Sequence, residues 1–135
     1  METTSAIPVY DWGEKTILIG EDELVNLKLL EMILLKTRAK VVHGQTGSEV
    51  VKIFKANPAI SLILMDIKMP DMDGIEATYE IRKISKEIPI IAQTAYALEE
   101  EKTKCMEAGF NGYVTKPINR KYLLALIQSF FEEVI

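Results

Sequence analysis

Four groups of residues, scattered along 135 positions, carry side chains suited to phosphoryl chemistry if they are gathered in one place. They are the acids Glu21, Asp22 and Glu23, an aspartate at Asp66 behind the apolar run LILM, a hydroxyl at Thr94, and Lys116 just before Pro117. Carboxylates packed within a few ångströms repel one another, and protonation of one or a bound divalent cation relieves the repulsion. Oxygen-only donors favour a hard ion, Mg2+ or Mn2+, and Mg2+ is usually held by one or two carboxylates together with waters and phosphate oxygens. A lysine supplies a positive point charge for phosphoryl oxygens, and a threonine supplies a hydroxyl donor. An aspartate in the middle of such a set can itself be the nucleophile, giving an aspartyl phosphate.

The elements that must position these groups are legible from Thr16 onward. Short apolar runs at 16–20, 39–43, 60–66, 88–94 and 112–115 alternate with helix-length stretches at 23–36, 47–56, 73–85, 97–108 and 119–134. Runs with almost no polar alternation suit strands buried on both faces. Leu27, Leu30 and Leu34 repeat on one helical face, as do Val50, Ile53 and Phe54. Gly109 reads as a helix stop and Asn119 as a helix cap. Successive β-then-α units predict a parallel sheet with helices on both faces, joined by right-handed crossovers. Ligands of such sheets bind at the carboxyl ends of the strands. Those ends are Glu21–Glu23, His43–Gly44, Asp66, Thr94 and Thr115–Pro117, so the scattered groups are expected on one edge.

Composition narrows the alternatives. The chain is 48% hydrophobic and 27% charged, enough for one domain with its own core. A net charge of −4 argues against a nucleic-acid-binding domain. The single cysteine, Cys105, excludes an internal disulfide, and with the single histidine, His43, it is too little for the common zinc sites. No apolar run approaches a membrane span, and the first 15 residues lack the pattern of a secretory signal. The chain therefore reads as cytoplasmic, either free or as the cytoplasmic part of a membrane-bound protein. Residues 1–15 read as a linker or added arm, with Tyr10 and Trp12 as an isolated aromatic pair, and 16–135 as the domain.

These residues resemble the receiver domain of two-component response regulators. The resemblance is carried by Glu21-Asp22-Glu23, by LILMDIKMPDMDG around Asp66, by IIAQTAYA around Thr94 and by GYVTKPI around Lys116, in that order. It implies a flavodoxin-like doubly wound sheet of five parallel strands, order 2-1-3-4-5, with five helices. It implies that Asp66 accepts a phosphoryl group from a histidine kinase or a histidine phosphotransfer domain. Asp22 and Asp66 would ligate Mg2+ directly, with the backbone carbonyl of Lys68, and Glu21 through water. Lys116 and Thr94 would bind phosphoryl oxygens, helped by the backbone N–H of Ala95. Tyr113 would be the switch aromatic, and the bond before Pro117 a cis peptide. The implied output is a change on the surface of the fourth helix, fifth strand and fifth helix, through which receivers often dimerise. Such a domain catalyses its own phosphorylation and dephosphorylation without being a turnover enzyme. The stretches VNLKLLEMILLK, TAYALEEEK and VYDWGEKTILI look like receiver and linker segments of hybrid sensor histidine kinases.

Some features depart from the pattern or compete with it. Glu21 stands where an aspartate is more usual, and Gly20 where a bulkier aliphatic is. Lys68 and Tyr96 follow the acceptor and the threonine by two residues, at positions that vary and influence phosphoryl lifetime. Glu23 reads as a helix-dipole acid, the run Glu99–Lys102 as a solvated helix face, and His43 as structural. A calcium loop built on Asp71, Asp73, Gly74 and Glu80 would have Met69 at its first position and a strand instead of a helix before it. An Asp-nucleophile phosphatase of small monoesters is the alternative function, but Lys68 occupies the place of its second aspartate. Dinucleotide and P-loop enzymes are excluded because their glycine motifs are absent.

Overall fold

In a computed structural model, which describes residues 9–95 and 98–132, the chain alternates strand and helix without interruption. The strands are β1 (Thr16–Gly20), β2 (Lys40–Gly44), β3 (Leu62–Asp66), β4 (Ile90–Thr94) and β5 (Gly112–Thr115). The helices are α1 (Leu24–Leu35), α2 (Gly47–Ala56), α3 (Gly74–Arg82), α4 (Glu99–Ala108) and α5 (Arg120–Phe131). All neighbouring strands pair in parallel, in the order β2-β1-β3-β4-β5. The expected doubly wound sheet is thus present.

Two apolar layers sandwich the sheet. Leu18, Ile63, Met65, Ile90 and Ala92 point to the side of α2, α3 and α4, where Val50, Phe54, Ala77, Ile81 and Cys105 meet them. Ile17, Ile19, Leu62, Leu64 and Ile91 point the other way, toward Leu27, Leu30 and Leu34 of α1 and Leu123 and Ile127 of α5. The two-residue period of the strands sorts their side chains between the layers, which is why the central strands are apolar throughout.

Local chemistry sets where the elements begin and end. Asp73 and Glu76 form a reciprocal capping box at the start of α3. Thr46 and Asn119 accept from Glu49 N–H (3.1 Å) and Tyr122 N–H (2.9 Å), starting α2 and α5. Gly109 closes α4 at φ 112°, a conformation that favours glycine. The expected strand 88–94 starts two residues late because Ile88 N–H is taken by Ser85 Oγ (3.2 Å) and Pro89 has no N–H to give. The helix expected over 73–85 stops at Arg82, whose guanidinium donates to the carbonyl of Gly109 (2.7 Å) and that of Ser85 (3.1 Å). Of the stretches 97–108 and 119–134, residues 97, 133 and 134 lie outside the described residues; the helices observed there are Glu99–Ala108 and Arg120–Phe131.

The last residues of the stretch 1–15 pack onto the domain. Trp12 is only 4% exposed and belongs to the layer of α1 and α5. Its indole N–H donates to Gln128 Oε1 (2.7 Å), its backbone N–H to the carbonyl of Thr37 (2.7 Å), and its ring meets Phe131 edge-on and stacks on Tyr10. A large apolar surface with one donor finds both needs met on α5.

Candidate functional site

Because every strand runs the same way, the five carboxyl ends share one rim. Asp66 is the last residue of β3 and is 4% exposed. Its Oδ2 accepts from Lys116 Nζ at 3.1 Å, and its Oδ1 accepts from the backbone N–H of Lys68 at 3.3 Å. Glu21, just past β1, is 1% exposed. Its carboxylate accepts from Asn26 Nδ2 (2.6 Å) and Glu23 N–H (3.1 Å), and lies 3.6 Å from Lys116 Nζ. Asp22 is exposed beside them, and the ligand atoms of Glu21, Asp22 and Asp66 all lie within 4.8 Å of one another. The structure therefore brings together the acids and the lysine that the sequence singled out.

The loops hold this geometry through close backbone approaches. A Cβ on Gly74 would sit 2.3 Å from the Asp66 carbonyl oxygen, so α3 can start against the acid only with glycine there. Gly47 likewise meets the Met72 carbonyl, with α2 supporting the loop that follows Asp66. Asp71, in that loop, adopts φ 72°, a left-handed conformation that aspartate tolerates. Asp71 and Asp73 therefore serve loop and cap, and Glu80 pairs with Lys83 at 3.1 Å on α3, so none of the three builds a calcium loop.

The electrostatics of the rim are strained. Burial, and then the charge of Glu21, push Asp66 up from 3.8 to about 7 against the opposing pull of Lys116. Burial pulls Lys116 down, but the charges of Asp66 and Glu21 outweigh it and its pKa is raised. Three oxygen donors with an excess of negative charge suit a hard divalent cation, so the donor set fits the expected metal.

The other expected residues fall around this centre. Thr94, at the end of β4, is fully buried, and its hydroxyl donates to Glu101 Oε1 of α4 at 2.7 Å. Tyr113 on β5 is half-buried, with Lys102 Nζ 5.5 Å from its ring centre. Its pKa is raised, by burial first and then by the charge of Glu101. Lys68 and Ala95 are exposed at the rim. The Lys116–Pro117 peptide bond is cis, and Lys116 N–H donates to the Thr94 carbonyl (2.7 Å). Tyr96 lies outside the described residues. His43 Nε2 lies 2.7 Å from the Glu21 carbonyl oxygen, a structural role. Cys105 is buried, and burial pushes its thiol up to about 11, which makes it inert.

Three polar residues at the rim were not singled out by the sequence. Asn26 bridges Glu21 and the fully buried Gln93, whose Oε1 lies 3.4 Å from Asn26 Nδ2. Glu101 is the third, and the reading of Glu99–Lys102 as a wholly solvated face is corrected for it. It is only half-exposed, and its carboxylate is engaged by Thr94.

Comparison with known proteins agrees with this architecture. The family model of the response regulator receiver domain matches residues 17–128. Over 121 residues the chain is 38% identical to hybrid signal transduction histidine kinase I of Dictyostelium discoideum, covering 84% of this chain and 7% of that one. It is 32% identical over 141 residues to histidine kinase 2 of Arabidopsis thaliana, covering 88% of this chain and 12% of that one. Among solved structures it is similar to the receiver domain of a sensor histidine kinase from Pseudomonas aeruginosa PAO1, which has a magnesium ion coordinated in its active-site cleft. That match is 35% identical with a TM-score of 0.80, covering 86% of this chain and 96% of the other. The CheX-CheY-BeF3-magnesium complex of Borrelia burgdorferi gives a TM-score of 0.84 at 25% identity, covering 93% and 97%. The chain belongs to the response regulator receiver domain family of two-component signalling. The two curated relatives named here are histidine kinases, the first of them a hybrid one, and the chain spans 7% and 12% of their length. Among the described residues no helix is long and apolar enough to cross a membrane.

Proposed function

We propose that Asp66 accepts a phosphoryl group from a phosphohistidine, carried by a histidine kinase or a histidine phosphotransfer domain, in a phosphorelay. The observation that carries this reading is the convergence of Glu21, Asp22 and Asp66 within 4.8 Å, with Lys116 Nζ 3.1 Å from the Asp66 carboxylate. Asp66 oxygen attacks phosphorus, the P–N bond to the imidazole breaks, and the imidazole leaves with its electron pair. Lys116 turns from the carboxylate to a phosphoryl oxygen, and the Thr94 hydroxyl and the Ala95 N–H serve the others. Asp22, Asp66 and the Lys68 carbonyl would hold Mg2+ or Mn2+, with Glu21 reaching it through water. Bound there, the ion would offset the negative charge that gathers on the phosphoryl oxygens.

Once Thr94 has moved, Tyr113 turns inward and the surface of α4, β5 and α5 changes its affinity for partners, a second copy of the chain included. Residues 16–135 form the receiver unit in this reading, with Trp12 of the preceding stretch packed on its last helix, within a cytoplasmic part of a hybrid kinase. The domain is modified once and slowly reverts, and it does not turn over a small substrate.

Intact-mass measurement after incubation with acetyl phosphate, with and without Mg2+, tests this. Wild type is expected to gain one phosphoryl group per chain in a metal-dependent way, and Asp66→Asn none. Equal labelling of the variant would overturn the assignment of Asp66.

A further inference from the structure

We propose that Glu101 is a positioning residue: its carboxylate holds the Thr94 hydroxyl on the α4 side of the rim, and a phosphoryl group at Asp66 must win that hydroxyl from it. This rests on the reading of Asp66 and Thr94 just given. Thr94 is fully buried, so its hydroxyl has few places to turn, and a hydroxyl has one proton to donate. That proton points to Glu101 Oε1 at 2.7 Å, a charge-assisted bond of the stronger kind. Glu101 lies in the first turn of α4, the next element after β4 in chain order, so this bond ties the two elements. The contact therefore has a definite opponent. An aspartyl phosphate brings about two negative charges and three strong acceptor oxygens, which compete for the same proton.

The bond also has a mechanical side. It joins the end of β4 to the first turn of α4, next to Tyr113, whose phenol feels the charge of Glu101. When Thr94 leaves Glu101, α4 loses a tie to the sheet at the moment Tyr113 gains room. The strength of this one contact then sets part of the free energy that activation must supply, and a weaker acceptor at position 101 shifts the domain toward the activated arrangement.

The test is a titration of the full chain with beryllofluoride, a mimic of the phosphoryl group, at saturating Mg2+, with binding followed by fluorine NMR. Glu101→Ala is expected to bind the mimic about three- to tenfold more tightly than wild type, the worth of one hydrogen bond. Glu101→Gln, which keeps a weaker neutral acceptor, is expected to show a smaller gain in the same direction and serves if the alanine variant does not fold. In a Thr94→Val background, which keeps the branched shape but lacks the hydroxyl, the effect of Glu101→Ala should vanish. Mg2+ affinity measured without fluoride should be the same in Glu101→Ala as in wild type, which a general loosening of the rim would not leave intact. Unchanged or weaker mimic binding by both Glu101 variants, or a gain that persists with Thr94→Val, overturns the proposal. Equal binding by wild type and Asp66→Asn overturns instead the reading of Asp66, and this proposal with it.

Discussion

Along β3 two regions of the molecule meet within one peptide step. Leu62 to Met65 are fully buried, alternate between the two apolar layers and leave nothing unsatisfied. Asp66 lies almost as deep, yet it carries a carboxyl group pushed up to about 7 beside a second buried acid. The contrast continues along β4, where Ile90 to Ala92 pack as apolar residues should. Gln93, the next one, is buried with no hydrogen-bond partner for its Nε2. Strand bodies obey every local rule of folding, and strand ends break several. On the strands these breaches gather at the rim that carries the acids and Lys116, as expected when a fold stabilised elsewhere holds a group of residues that opposes it.

Substitutions in the two regions are expected to have effects of opposite sign. Leu64→Ala, in the body of β3, is expected to lower stability by about 2–5 kcal/mol in urea denaturation, from lost burial and the cavity left behind. A change below 1 kcal/mol would mean the body is not the stabilising region.

Asp66→Asn, one strand-end away, should do the reverse. The folded carboxyl titrates near 7 and its ordinary value is 3.8, so between these the folded chain binds the proton more tightly than the unfolded one. Stability of wild type then falls as pH rises from about 4 to about 7, and the full penalty is present above that. With a chelator present, Asp66→Asn is expected to exceed wild type by roughly 1–2 kcal/mol at pH 8, allowing for solvent screening at the rim, and to lose that advantage toward pH 4. A pH-independent difference would show that the carboxyl is not strained.

The smallest effect belongs to neither region. Met32→Gln, on the outward face of α1, should change stability by less than about 0.5 kcal/mol, because Met32 is 71% exposed. A larger loss would place a packing partner there.

The parallel sheet and the gathering of Asp22, Asp66 and Lys116 on one edge are legible in the sequence because unbroken apolar runs mark buried parallel strands, whereas the strand order rests on the resemblance to receivers. Parallel strands put their ends together whatever lies between them. What escaped was the inward orientation of single polar residues. Gln93 interrupts the apolar run IIAQT, a visible signal of a polar group facing the rim. Glu101 sits in a run of three glutamates, and composition cannot say which of them turns in. Helix phase can, since Glu101 lies four residues before buried Cys105 and so shares its face. Trp12 reads from the sequence as part of the arm because nothing periodic surrounds it, and its bed on α5 is 116 positions away.

That bed matters for anyone cutting this unit out of a longer polypeptide. A truncation immediately before Thr16 would strip the cover from Phe131 and leave Gln128 facing water, baring a greasy spot on the last helix. Retaining the chain from Tyr10 keeps the ring pair seated, so the practical border of the module lies several residues ahead of its first strand.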